Sequence, residues 1–250
     1  MTTLTADDIL WATRVLPRAV KDAMKKHGNK IVVAGGFLRA SIARETINDV
    51  DLFVPDAEFG RQLASELSEG NQKKVHQSEN ALTIFGHKYT IQVITRWTFH
   101  HPSFIVPSFD FTIARAAMWW EPSLDSWQSL ADERFYPDLA AKRLIYCNPE
   151  RNEDAGGSML RLLKFYSRGY TAPLSTVAGV MGRMLTGVPE VNFEKRGCIR
   201  PGDWEKQMGQ VLTGLLREVD PQIDPDHIAH IPGVPSNEQE SEGEDELKIA

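Results

Sequence analysis

The chain has 250 residues, enough for one large domain or two modest ones. Its 42% hydrophobic and 25% charged residues are ordinary for a soluble globular protein, and no apolar run approaches the roughly 20 residues that span a bilayer, so no membrane partner is expected. The formal net charge of −6 argues against a nucleic-acid binder until it is divided: residues 236–250, SNEQESEGEDELKIA, hold six acidic residues and one lysine, a net of −5, which leaves about −1 for the rest.

Residues 6–27 read as one amphipathic helix. Ile9, Leu10, Val15, Leu16, Val20 and Met24 form its apolar stripe, Thr5 or Asp7 caps it, and Gly28 ends it. Residues 30–34 read as a short buried strand broken by Gly35-Gly36, after which 37–44 resume helical spacing. Residues 49–54 form a strand that Pro55 stops, and 57–69 are helical again. Strands near 82–85 and 89–94 flank a Gly86-His87 turn. Residues 109–114 read as a further strand, paired with 117–120. From about Ala131 the chain is mainly helical, with helices expected over 155–168, 173–186 and 203–219. This order predicts an α+β fold, a mixed β-sheet with flanking helices followed by a small helical module. The predicted domains are a head over 1–125 that includes the N-terminal helix, a mainly helical module over 126–235, and an acidic disordered tail over 236–250.

Cys147 and Cys198, the only cysteines, suggest thiols in a reducing compartment. The N-terminus MTTLTADDIL has no basic segment followed by an apolar stretch, so a cytoplasmic protein is expected. His100-His101 and His227-x-x-His230 lack the cysteines of a zinc site and read as loop histidines.

Asp49 and Asp51 stand two apart on a predicted strand, so their side chains share a face while Val50 points into the core. Two adjacent carboxylates repel each other, and a divalent cation relieves that repulsion. Oxygen-only ligands suit magnesium or manganese, and two such ions can hold the attacking and leaving oxygens of a phosphoryl transfer. In Ser108-Phe109-Asp110-Phe111-Thr112-Ile113 the odd positions are apolar, so Asp110 and Thr112 would share the opposite face and bring a third carboxylate to the pair. Gly35-Gly36 lies between a strand and a helix, where glycine lets the backbone approach a phosphate, and Arg39 follows about one turn in. Each feature alone also fits a plain turn or a strand-edge aspartate; their joint spacing is the signal.

That spacing resembles the DNA-polymerase-β-like nucleotidyltransferase superfamily. Its hallmark is two small glycine-type residues, a gap of about a dozen, then Asp-apolar-Asp-apolar. Here Ala34-Gly35-Gly36 is followed, twelve residues on, by Asp49-Val50-Asp51-Leu52. GGFLRA, NDVDLF and SFDFTIARA look most like the head of the poly(A) polymerase and tRNA CCA-adding group, and DLAAKRL (138–144) and RLLK (161–164) resemble its neck. The resemblance implies an enzyme that moves a nucleotide from an NTP, such as ATP, to an acceptor hydroxyl with release of pyrophosphate. It implies Asp49, Asp51 and Asp110 as catalytic metal-binding residues for Mg2+ (or Mn2+), with Asp110 on a metal or on the ribose. It also implies Gly35, Gly36, Arg39, Thr112, Arg161 and Lys164 at the nucleotide, and an RNA 3′ end as acceptor. Three positions depart from the pattern. Ala40 replaces an Asp after Arg39, Ser108-Phe109 replaces an Arg pair, and Ser158 occupies the acid position before Arg161. The cationic residues Arg161, Lys164, Arg168, Arg183, Lys195, Arg196 and Arg200 could line a track for RNA phosphates. Transfer to a small molecule or a protein side chain, and a silent nucleotide-binding module, are the alternatives. Neither the NTP nor the oligomeric state is fixed by the sequence.

Overall fold

The computed structural model describes residues 1–70, 72–147, 149 and 155–186. The helix expected over 203–219, the tail over 236–250, Cys198, Lys195, Arg196, Arg200 and the 227/230 histidine pair lie outside the described residues. The chain divides into two compact units, the first comprising Met1–Arg151 with Ala172–Thr176 and the second Asn152–Thr171 with Val177–Ala250.

Thr5 caps the first helix, α1 (Ala6–Val15), by accepting from the Asp8 amide at 3.2 Å. The single helix expected over 6–27 is two helices, because Pro17 forces Leu16 into extended backbone and α2 (Arg18–His27) starts afresh behind it. Gly28, at φ 66°, ends α2. Strand β1 (Val32–Ala34) leads through Gly35 into α3 (Gly36–Ile42), and a loop then leads to β2 (Asp49–Phe53). Helix α4 (Ala57–Leu67) is capped by Asp56. Three strands follow: β3 (Val75–Gln77), β4 (Ala81–Ile84) and β5 (Thr90–Ile94). The segment 95–115 is loop and short turns of 3-10 helix, before β6 (Ala116–Glu121), β7 (Ser126–Ala131) and α5 (Phe135–Ala140).

The seven strands make one mixed sheet in the order β3-β4-β5-β2-β1-β6-β7, antiparallel throughout except for the parallel β2–β5 pair. One face carries Val50, Leu52, Ile84, Ile91 and Val93, all fully buried, and Gly60 of α4 comes close enough that a Cβ there would lie 3.5 Å from Val93. The other face has a second apolar cluster, in which Val32, Ala34, Phe53, Ala81, Ile94 and Ala117 pack under Ile105 and Val106, with Trp97, Phe99 and Phe109 around them. The fold is the expected α+β arrangement. The strands β3 and β7 were not anticipated from the sequence, while α5 falls in the stretch from about Ala131 expected to be mainly helical. The first compact unit runs past residue 125 because β7 completes the sheet through six paired positions with β6.

In the second unit, α6 (Ala155–Tyr166) and the start of its own core can be described: Leu160, Leu162, Phe165 and Tyr170 are buried, with the Phe165 and Tyr170 rings 5.3 Å apart. Helix α7 (Leu174–Thr186) begins in the first unit and continues in the second. Among the described residues no helix is long and apolar enough to cross a membrane.

Candidate active site

Strand β2 alternates as its sequence demands. Val50 and Leu52 are fully buried on the helical face, and Asp49 and Asp51 are half-buried on the other. Register places Asp49 beside Thr90 and Asp51 beside Gln92 on the parallel neighbour β5. On the other side β1 pairs Val32 with Phe53 and Val33 with Leu52, so one more step of that register sets Asp51 beside Ala34, where the glycine turn begins. The fold thus joins the two halves of the motif across adjacent strands.

Gly35 is held at φ 74°, and a Cβ on it would lie 2.8 Å from the Phe109 ring. The position therefore excludes a side chain twice, by backbone conformation and by contact. A Cβ on Gly36 would meet nothing within 4 Å, so packing does not require glycine there. Arg39 does not project from a solvated helix face. It is buried and ion-paired with Glu45 in the loop that leads to β2. The same loop is pinned at Arg44, whose guanidinium lies 3.6 Å from the centre of the Trp11 ring.

Asp110 lies in a loop, not on a strand, which corrects the β-pairing expected over 109–114. Phe109 and Asp110 are followed by a 3-10 turn at Thr112–Ala114. The backbone of this loop pairs with the 145–147 segment: Cys147 N–H donates to the Asp110 carbonyl at 2.7 Å and Thr112 N–H to the Ile145 carbonyl at 3.1 Å. The Arg115 guanidinium holds it from within, donating to the carbonyls of Phe109 and Pro107 at 2.9 and 3.0 Å. The Phe109 ring packs on Gly35 and edge-on to Phe53 at 5.8 Å, and the adjoining Asp110 is buried.

Thr112, expected at the nucleotide, is buried, and its hydroxyl donates to Asp138 at 2.7 Å. Asp138 is a fully buried carboxylate that also takes paired bonds from Arg134 (3.1 and 3.0 Å) and Arg143 (2.9 and 2.6 Å). Burial pushes its carboxyl upward, but the bonds from Arg134, Thr112 and Arg143 outweigh burial and hold it below the usual carboxylate range. The DLAAKRL segment is therefore a clamp on the Asp110 loop. Cys147, on the far side of that loop, is pushed up to about 11, chiefly by burial and then by the Asp132, Asp110 and Asp138 carboxylates, so it is a thiol at neutral pH.

Among the described residues no three His, Cys, Asp or Glu side chains gather into a group able to hold a metal ion. A cation here would rest on the Asp49–Asp51 pair and on phosphate oxygens, the usual donor set for magnesium at a nucleotide. Arg161 and Lys164 lie on α6 in the second compact unit. Glu45, Asp138, Thr90 and Gln92 were missed by sequence reasoning. The alternation of Thr90-Ile91-Gln92-Val93 was a readable signal for the last two, and the DLAAKRL resemblance flagged the segment of Asp138 without its ion pairs; Glu45 left none.

Among solved structures the chain is similar to the Thermotoga maritima CCA-adding enzyme complexed with tRNA, at 16% identity and a TM-score of 0.52 over 86% of this chain and 55% of that one. It is also similar to a CCA-adding enzyme with CTP (18%, TM-score 0.55, 93% and 54%) and to one with ATP (14%, 0.53, 91% and 60%). These likenesses show a nucleotidyltransferase-type fold, and the chain spans little more than half the length of those structures. No protein of curated function matches it in sequence. A family model described as Gad2, Gabija anti-defense 2 family protein, matches residues 11–142. That match runs from within α1 to just past α5 and takes in more than half of the chain, so the protein belongs to the Gabija anti-defense 2 family.

Proposed function

We propose that this protein is a metal-dependent nucleotidyltransferase that moves an NMP from an NTP to an acceptor hydroxyl and releases pyrophosphate. The observation that carries this reading is the pair Asp49 and Asp51 on one face of β2, one strand from the Gly35 turn. Asp49 and Asp51 would hold Mg2+ or Mn2+, which when bound neutralises charge on the triphosphate and polarises the attacked phosphorus. Gly35 and Gly36 let the backbone approach the triphosphate, and the open space at Gly36 leaves room for it. Asp110 would serve as the third carboxylate, on metal or on ribose. The buried Arg39–Glu45 pair fixes the loop that sets the start of β2, while Thr112 positions the Asp110 loop through Asp138. Catalysis rests on positioning and electrostatics, with in-line attack by the acceptor hydroxyl on the α-phosphorus.

The leading acceptor is an RNA 3′ end, in line with the tRNA-bound and nucleotide-bound structures of similar fold. A hydroxyl on a protein of the Gabija system is the second reading. It is favoured by the family description. The test is incubation with each α-labelled NTP and Mg2+, together with single-stranded RNA, tRNA, Gabija proteins or no acceptor. Wild-type protein is expected to transfer label. The double variant Asp49→Asn/Asp51→Asn should lose about three orders of magnitude in rate while keeping its melting temperature, since several kcal/mol of charge stabilisation disappear. Label on RNA supports the first acceptor and label on protein the second. Equal transfer by the double variant overturns the proposal.

A further inference from the structure

Half of the sheet face that bears the carboxylates is apolar and covered by the 97–109 segment. The other half carries two rows of side chains that run from the carboxylates to the sheet edge. Register gives one row directly: Asp51 beside Gln92 on β5, Gln92 beside Thr83 on β4, and Thr83 beside His76 on the edge strand β3. The second row starts at Asp49 beside Thr90. One further step of the β4–β5 register brings Phe85 beside Thr90, and the β3–β4 ladder continues through the Phe85 amide, which donates to the Lys74 carbonyl at 3.0 Å. Lys74, Phe85, Thr90 and Asp49 thus share one face across four strands, a span of about 14 Å at the usual strand spacing.

The outer end of these rows is exposed, basic and aromatic. Lys74, His76, Phe85 and Lys88 are exposed. Residues 73–96 hold four cations (Lys73, Lys74, Lys88, Arg96) and one acid (Glu79), a net of +3 in a chain of net −6. Lys73 is taken up by Glu69. Lys74 and Lys88 instead lie over the rings of Phe85 and Tyr89, with Nζ 5.8 and 4.9 Å from the ring centres. A ring flanked by an ammonium suits a base with its phosphate, since the ring stacks on the base and the ammonium meets the charge.

From this juxtaposition we infer that the β3–β4–β5 edge is the landing strip for the 3′ segment of a single-stranded RNA acceptor. Phe85 stacks a base, and Lys74 and Lys88 hold its phosphates. Thr83 in the first row is buried, so the second row, through the half-buried Thr90, leads the terminal nucleotide toward Asp49. This deepens the proposed transfer to RNA and rests on that reading for its orientation, not for the binding itself.

The test measures binding of a labelled single-stranded oligoribonucleotide of about ten nucleotides across a range of salt, alongside label transfer from NTP. Phe85→Ala should weaken binding about tenfold, the loss expected for one stacked base, and Phe85→Trp should restore it. Lys74→Ala/Lys88→Ala should lower the slope of log affinity against log salt by about 1.4, the loss of two phosphate contacts. NTP binding and melting temperature should stay at wild-type values, because these side chains are exposed. Unchanged affinity and slope in these variants, or equal weakening on an RNA duplex, would overturn the strip even if wild-type protein transfers label to RNA. RNA binding that fails in these variants while no RNA is ever labelled would keep the strip and remove RNA as the acceptor. Labelling of Gabija protein with no RNA binding would overturn the strip and leave nucleotidyl transfer standing.

Discussion

Gly35 answers two demands at one position, a backbone at φ 74° and contact with the Phe109 ring. Gly35→Ala is expected to destabilise the protein by about 1–3 kcal/mol from crowding, with strain at positive φ in addition. Gly36→Ala should cost little stability, because a Cβ there enters open space, yet should weaken NTP binding. Urea denaturation and NTP titration of the two variants check this, and equal stability losses would count against it. The sequence flagged both glycines but could not separate them, since only packing distinguishes a glycine required by a neighbour from one left open. Arg39 is a similar case. Its motif position was legible, whereas its partner Glu45 was not, because that ion pair depends on how the α3–β2 loop folds back.

Elements were read well where local pattern dictated them and poorly where a distant partner did. The alternation in Asp49–Phe53 specified β2 and put Asp49 and Asp51 on the face opposite Val50, and the structure has both. The same alternation over 109–114 pointed to a strand that does not exist. Arg115 and the 145–147 backbone capture those groups first. The element that fixes this loop is α5, through Asp138. Asp138→Ala should destabilise the fold by about 2–3 kcal/mol, less than a fully buried pair because Arg134 and Arg143 are half-exposed. The folded state holds the Asp138 carboxyl low, so its stabilisation is complete above the ordinary aspartate value of about 4. It is lost as pH falls from there through the lowered folded-state value. Denaturant unfolding at a series of pH values should therefore show Asp138→Asn less stable than wild type at neutral pH, with the gap closing in acid. A gap that widens in acid would contradict the assignment.

At the scale of the whole molecule, charge is distributed unevenly, with −5 of the −6 in residues 236–250. Removing those residues is expected to tighten RNA binding at low salt, with the difference fading as salt screens the repulsion. Anisotropy titrations of full-length and shortened protein would show it, and equal affinities at low salt would refute it. The α+β class, the glycine turn and the paired carboxylates were determined by the sequence itself. Glycine conformation and strand alternation act over a few residues, and a reader of the chain can see them. Tertiary structure alone decided that β5 lies parallel beside β2, that the Phe109 ring packs on Gly35, and that Asp138 holds the loop. Those contacts join residues far apart in the chain, where the free energy comes from which buried groups meet, and that is settled only when the sheet has closed around its core.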